Sequence, residues 1–91
     1  MSALRQIEFV ADDFGRGPRV NEAILRAHRE GVLTGAGLML GQGGSDEAVR
    51  IASAAPGLEV GWHLHVCDSR PVTGSRWPWG ESPFAAAVLL A

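Results

Sequence analysis

Two short clusters hold the side chains best suited to chemistry in this sequence of 91 residues. The first is Asp12-Asp13, two carboxylates in succession at the end of an apolar stretch. The second is His63 and His65, spaced i, i+2 in a later apolar stretch. Neighbouring side chains on an extended chain point to opposite faces. The two acids are therefore expected to do different work, one binding a cation and the other taking or giving a proton. Residues two apart on a strand share a face, so the two imidazoles are expected to present together. Imidazole and carboxylate both bind divalent metals, and such a set can converge on one ion. Each cluster also has a plain structural reading. Asp-Asp suits a solvated turn, and two strand histidines can simply bond to their neighbours.

The other polar candidates read as structural. His28 falls late in a helical stretch, where an imidazolium favours the helix C-terminus. Cys67 reads as a small buried apolar residue with no partner base, and Asp68 as a turn residue. Asn21 can reach the acidic turn or bond locally. Gly41-Gln42-Gly43-Gly44 has the glycines of a phosphate cradle but no lysine, so a turn is the better reading. Trp77 and Trp79 can stack on a sugar ring, but hydrophobic anchoring is the simpler role.

These residues need elements to position them. Ile7, Phe9 and Ala11 alternate with Gln6, Glu8 and Val10, which predicts a strand over Leu4–Ala11 that ends at Asp12. Pro18 suits the first turn of a helix running to Glu30, with Val20, Ala23, Ile24 and Ala27 as its buried stripe. Gly31 follows its end. Val32–Leu40 reads as a strand buried on both faces. Ser45 is the expected N-cap of a second helix to Ala54, with Ala48, Val49, Ile51, Ala52 and Ala55 on its apolar side. Pro56-Gly57 ends it, and Leu58–Val66 is the third strand, carrying both histidines. The order βαβαβ implies an α/β fold with a parallel sheet and right-handed crossovers. Reactive groups in such sheets gather at the C-terminal strand ends, where Asp12, Asp13 and the histidines fall. The tail 74–91 is different: it holds Trp77-Pro78-Trp79 and ends on an apolar run from Phe84 to Ala91. That run is either a short helix or a segment cut mid-element.

Composition narrows the function further. Hydrophobic residues make up 46% and charged residues 20%, with a net charge of −2. That balance argues against nucleic-acid partners and anionic membrane surfaces. No apolar run has the ~20 residues of a membrane span, and the N-terminus does not read as a signal peptide. The eight basic residues are all arginine, so this chain supplies no lysine for Schiff-base chemistry or a Walker-type loop. A receiver-type signalling module also sets acids after its first strand, but it too requires a lysine. The single cysteine excludes an internal disulfide and a cysteine zinc cage, and the expected compartment is the cytoplasm.

Four blocks in order carry a resemblance. Val10 to Leu25, with Asp12-Asp13-Phe14-Gly15 at its centre, looks like the N-terminal signature of the YdjC-like carbohydrate deacetylases. Ala27 to Thr34, Pro56 to Leu64 and Arg70-Pro71-Val72 match in the same order and at similar spacing. The branch associated with hopanoid biosynthesis is the most similar one. The resemblance covers residues 5 to 73. It marks residues 1–73 as the N-terminal part of such a domain and 74–91 as a divergent tail. It implies a TIM-barrel-like (β/α) fold and metal-dependent removal of N-acetyl groups from amino sugars. It also implies a divalent ion, Mg²⁺ or a similar one such as Zn²⁺, held by an Asp and two His. Asp13 matches the metal-binding Asp, His63 the first metal His, and Asp12 the general base. The second metal His of the family lies on a later strand, beyond residue 91. His65 is a possible additional ligand, although i, i+2 on one strand is not the family's geometry. A barrel needs roughly two to three times this length. The chain therefore reads as the first three βα units of a longer protein, incomplete as a catalyst on its own. The alternative is a non-catalytic fragment that self-associates into a homo-oligomer to cover its open strand edges.

Overall fold

The computed structural model describes residues 4–80 and 82–90. Three parallel strands form one sheet in the order β1-β2-β3: β1 is Phe9–Phe14, β2 Leu33–Leu38 and β3 Glu59–Trp62. Helix α1, Pro18–Glu30, links the first pair, and α2, Ser45–Ala54, links the second. The predicted α/β order holds. Helix α1 packs on β1, β2 and α2, and the helices cover one side of the sheet. The core between them is Phe14, Ile24, Ala36, Ala48, Ala55 and Leu58. A parallel sheet in an α/β protein is ordinarily covered on both faces. Here the opposite side is a concave surface of ≈ 490 Å³ that includes Val10, Gly35, Gly37, Glu59 and Gly61.

The boundaries shift in ways that matter for the site. β1 starts later than expected and runs through Asp12 and Asp13 to Phe14, while Leu4 and Ile7 lie exposed ahead of it. β3 stops at Trp62, so neither histidine lies on a regular strand. The ladder still extends one residue past each strand: Met39 donates to the Phe14 carbonyl at 2.7 Å and His63 to the Leu38 carbonyl at 2.9 Å. His63 is thus held at the C-terminal mouth, whereas His65 belongs to an irregular segment.

Two helix faces are also rotated from expectation. On α1 the buried residues are Asn21 and Ile24, with Val20 beside them, while Ala23 and Ala27 face out. Burying Asn21 in place of an alanine turns the stripe, and three hydrogen bonds described below offset the cost. On α2, Val49 is exposed while Ala48 and Ala55 are buried. Ser45 is the first helical residue and not the cap, which is Gly44. Its hydroxyl donates to the Met39 carbonyl at 2.6 Å and accepts the Gln42 N–H at 2.9 Å, closing the loop ahead of the helix.

His28 is structural, its Nδ1 2.8 Å from the Leu33 carbonyl. The tail folds back as an irregular segment. The Gln42 side chain donates to the Arg70 carbonyl at 2.6 Å and accepts the Arg70 N–H at 3.0 Å. Trp77 and Trp79 stack at 5.5 Å, and their indole N–H groups bond to the carbonyls of Ser69 and Val66. That is the anchoring role. The apolar run is a helix, α3, Pro83–Leu90, on which Phe84 and Val88 are exposed. Ala91 and residues 1–3, which the predicted ranges include, lie outside the described residues. Among the described residues no helix is long and apolar enough to cross a membrane.

Candidate functional site

The acidic turn owes its shape to a bulge. Ala11 pairs with Ala36 and Phe14 with Leu38, so Asp12 and Asp13 together oppose the single residue Gly37. The extra residue breaks the strand's alternation. Asp13 adopts φ 65°, a left-handed conformation that Asp tolerates better than most side chains. Asp12 and Asp13 therefore line the same cleft, contrary to the expectation that they point apart. Gly37 matters on the other side as well. A Cβ there would stand 3.1 Å from His63 Cβ, a tight contact that would push the histidine back by a few tenths of an ångström.

A buried lock sets the turn. Asn21, with no exposed surface, accepts the Gly15 N–H at 2.8 Å and donates to the Gly44 carbonyl at 2.8 Å and to Glu47 Oε1 at 3.0 Å. Gly44 in turn donates to the Gly15 carbonyl at 3.0 Å. The turn after β1 and the loop before α2 are thereby fastened to each other. Gly15 sits at φ +99°, and a Cβ there would meet the Met39 carbonyl at 2.9 Å, so both conformation and space demand glycine.

The resulting cleft, of ≈ 400 Å³, is lined by Asp12, Asp13, Arg16, His63, His65 and Cys67 among others. His63 Nδ1 lies 3.5 Å from Asp13 Oδ1 and accepts the Asp13 N–H at 3.2 Å. That hydrogen bond occupies the single lone pair of Nδ1, so a cation held by this nitrogen would replace the Asp13 N–H there. Donor atoms on adjacent corners of a divalent site, each bonded at about 2.1 Å, stand roughly 3.0–3.4 Å apart. The Asp13–His63 pair, at 3.5 Å, lies just beyond that spacing. Among the described residues no group of three or more His, Cys, Asp or Glu side chains gathers to hold an ion. His65 lines the cleft but turns aside. Its ring stands edge-on to His63 at 6.5 Å, and its Nδ1 is 2.6 Å from the Ser69 hydroxyl.

Arg16, absent from the candidates read in the sequence, braces the other carboxylate oxygen. Its Nε is 3.3 Å from Asp13 Oδ2, and its Nη2 is 3.7 Å from Asp68 Oδ2. The two acids it joins are the only non-glycine residues with positive φ among the described residues. The signal was present as an i, i+3 pair between Asp13 and Arg16. Asn21 left a weaker signal, a polar residue interrupting an apolar stripe. Cys67 is a half-buried free thiol, and Asp68 is a turn residue as expected, at φ 50°.

A protein from Vibrio cholerae named carbohydrate deacetylase is 41% identical over 71 residues, which are 78% of this chain and 28% of that protein. One of the same name from Brevibacillus brevis is 48% identical over 63 residues, 69% of this chain and 25% of that protein. A third, from Vibrio campbellii, is 38% identical over 69 residues, 76% of this chain and 28% of its own length. The chain thus spans little more than a quarter of the curated relatives it matches. No solved structure matches it. The family model for YdjC-like proteins matches residues 6–86, which takes in the acidic turn, both histidines and the tryptophan segment. The chain belongs to the YdjC-like protein family.

Proposed function

We propose that this chain carries the cation-binding and proton-accepting part of a carbohydrate deacetylase, which hydrolyses the N-acetyl group of an amino sugar. The observation that supports this most directly is the convergence of Asp13 Oδ1 and His63 Nδ1 at 3.5 Å, in a cleft that Asp12 also lines. Relatives named carbohydrate deacetylase align with most of this segment, at 41% and 48% identity. In this reading the three parallel strands are the first three of a (β/α) barrel, whose later strands complete the ligand set.

Asp13 and His63 would hold a divalent ion such as Mg²⁺. When bound, it supplies Lewis acidity that draws electron density from the acetyl carbonyl. The chain's own residues do the rest. Asp12, exposed at the mouth and free of the Arg16 brace, takes a proton from the attacking water as its oxygen bonds to the acetyl carbon. The C–N bond then breaks, the nitrogen takes up a proton and leaves as the free amine, and the acetyl group departs as acetate. Arg16 holds Asp13 Oδ2 and so directs Oδ1 toward His63.

The test is divalent-cation binding by the purified chain, followed by calorimetry or by Mn²⁺ relaxation. We expect a dissociation constant on the order of micromolar to millimolar, lost in Asp13→Ala and in His63→Ala with the fold intact by circular dichroism. Binding unchanged in both variants would sink the assignment. We also expect the 91-residue chain alone to release no measurable acetate from N-acetylglucosamine oligomers.

One observation favours a second reading, a self-associating fragment. All four residues of β3 are exposed, including Val60 and Trp62, and an open parallel edge is a template for pairing. Sedimentation separates the two. A monomer at high concentration would remove the self-association reading and leave the site assignment standing.

A further inference from the structure

The His65 ring lines the reaction cleft beside Asp12, Asp13 and His63, yet it stands apart from the Asp13–His63 pair. Two imidazoles on adjacent corners of one ion hold their ring centres roughly 5 Å apart. Those of His63 and His65 are 6.5 Å apart, and His65 Nδ1 is turned instead to the Ser69 hydroxyl at 2.6 Å.

That contact settles which ring nitrogen carries the hydrogen. A serine hydroxyl has one hydrogen to give. Ser69 gives it to the Cys67 carbonyl at 2.9 Å, a group that can only accept. Ser69 Oγ must therefore accept from His65, so Nδ1 is the N–H. A neutral imidazole has one N–H and one bare nitrogen, and the bare one here is Nε2, at the tip of the ring. The Trp77 indole, edge-on to His65 at 6.2 Å, does not donate to it, because its single N–H is committed to the Ser69 carbonyl at 2.6 Å. The same bond holds Ser69 in place. Trp79 bonds to the Val66 carbonyl and Gln42 clasps the Arg70 main chain, so the backbone that carries Ser69 is fastened on both sides.

We propose that His65 Nε2 accepts a hydrogen bond from a hydroxyl of the bound sugar, and that Ser69 is the positioning residue that keeps this nitrogen bare. The sugar rests on the deacetylase reading, in which Asp12 takes a proton and Asp13 holds the cation. A neutral ring nitrogen then supplies an acceptor for a sugar hydroxyl without drawing on either carboxylate. The tautomer rests on geometry alone.

The test is nitrogen NMR on the ¹⁵N-labelled chain at about pH 8.5, where imidazole is neutral. Long-range proton–nitrogen spectra read the tautomer directly, and His65 is expected as Nδ1–H. Ser69→Ala should shift it toward Nε2–H, the form free histidine prefers in water, whereas Ser69→Thr should keep the parent pattern. N-acetylglucosamine is then titrated with Mg²⁺ present. The His65 Nε2 resonance should move, and affinity should fall about three- to ten-fold in both Ser69→Ala and His65→Phe. The monodeoxy analogue that lacks the bonded hydroxyl should lose as much on the parent chain and nothing on His65→Phe. An Nε2–H tautomer in the parent overturns the proposal. So does a sugar that leaves the His65 signals unmoved or binds Ser69→Ala as tightly as the parent. The expected tautomer and sugar response in a chain that binds no cation at Asp13 and His63 would refute the hydrolase reading and support this one.

Discussion

The two halves of the site are built differently. Asp13 rides on a turn whose foundations are buried: Phe14 and Asn21 have no exposed surface, and Asn21 spends all its polar atoms fastening two loops. His63 follows an edge strand whose four residues are all exposed. It is held by one ladder bond to Leu38, by the Asp13 N–H on its Nδ1 and by the close approach to Gly37. The acid half is therefore fixed by this chain's own core. The histidine half is aligned by a strand that is exposed along its length, and its final rigidity depends on whatever lies against β3.

The contrast predicts unequal damage. Phe14→Ala empties the centre of the core directly beneath the turn and should cost about 3–5 kcal/mol, enough to unfold a domain this small. Denaturant unfolding measures it. A loss below about 1.5 kcal/mol would mean the acid half does not rest on this core. Asn21→Ala comes next. It strands the buried Gly15 N–H and removes one of the two hydrogen bonds to the Gly44 carbonyl, which keeps the Ala48 N–H, for an expected loss of about 1–3 kcal/mol. Amide exchange should accelerate at Gly15 and Gly44 before it does in β2.

A smaller and more specific effect is expected at Arg16. Its ion pairs are half-exposed, so Arg16→Gln should change stability by no more than about 1 kcal/mol. The same change removes a positive charge from beside Asp13. Divalent-cation affinity should therefore rise several-fold, on the order of 1 kcal/mol. Calorimetric titration of the variant checks both the sign and the size. A fall in affinity would show that Arg16 contributes more by orienting Asp13 than it costs by repelling the ion.

The sequence was most readable where local pattern and tertiary structure agree. Periodicity and the Pro18 and Pro56-Gly57 boundaries give both linking helices, and the βαβαβ order gives the parallel sheet. The βαβαβ order also places Asp13 and His63 together, because both lie at the C-terminal ends of neighbouring parts of the sheet. What failed depends on contacts between elements. The bulge that brings Asp12 and Asp13 to one cleft arises from pairing two residues against Gly37, and strand alternation predicts the opposite. Ala23 and Ala27 fit a helical stripe, but buried Asn21 rotates it, because its partners Gly44 and Glu47 lie more than twenty positions away. The Gln42–Arg70 clasp is likewise invisible until the loops are folded together.

The smallest expected effect falls on β3 and tests the comparison most sharply. Trp62 is 69% exposed, so Trp62→Thr removes a large side chain that buries little and replaces it with a good strand former. Stability of the dilute chain should stay within about 0.5 kcal/mol of the parent, although the same loss of aromatic volume in a core would cost several kcal/mol. Running the unfolding at two protein concentrations separates the causes. If the edge of β3 is bare, the change is small at both. If a second copy covers it, Trp62→Thr destabilises only at the higher concentration, since an interface contributes by mass action. A loss above about 1.5 kcal/mol at both concentrations would place Trp62 in a packed environment within the chain, and the histidine half would then be as self-supporting as the acid half.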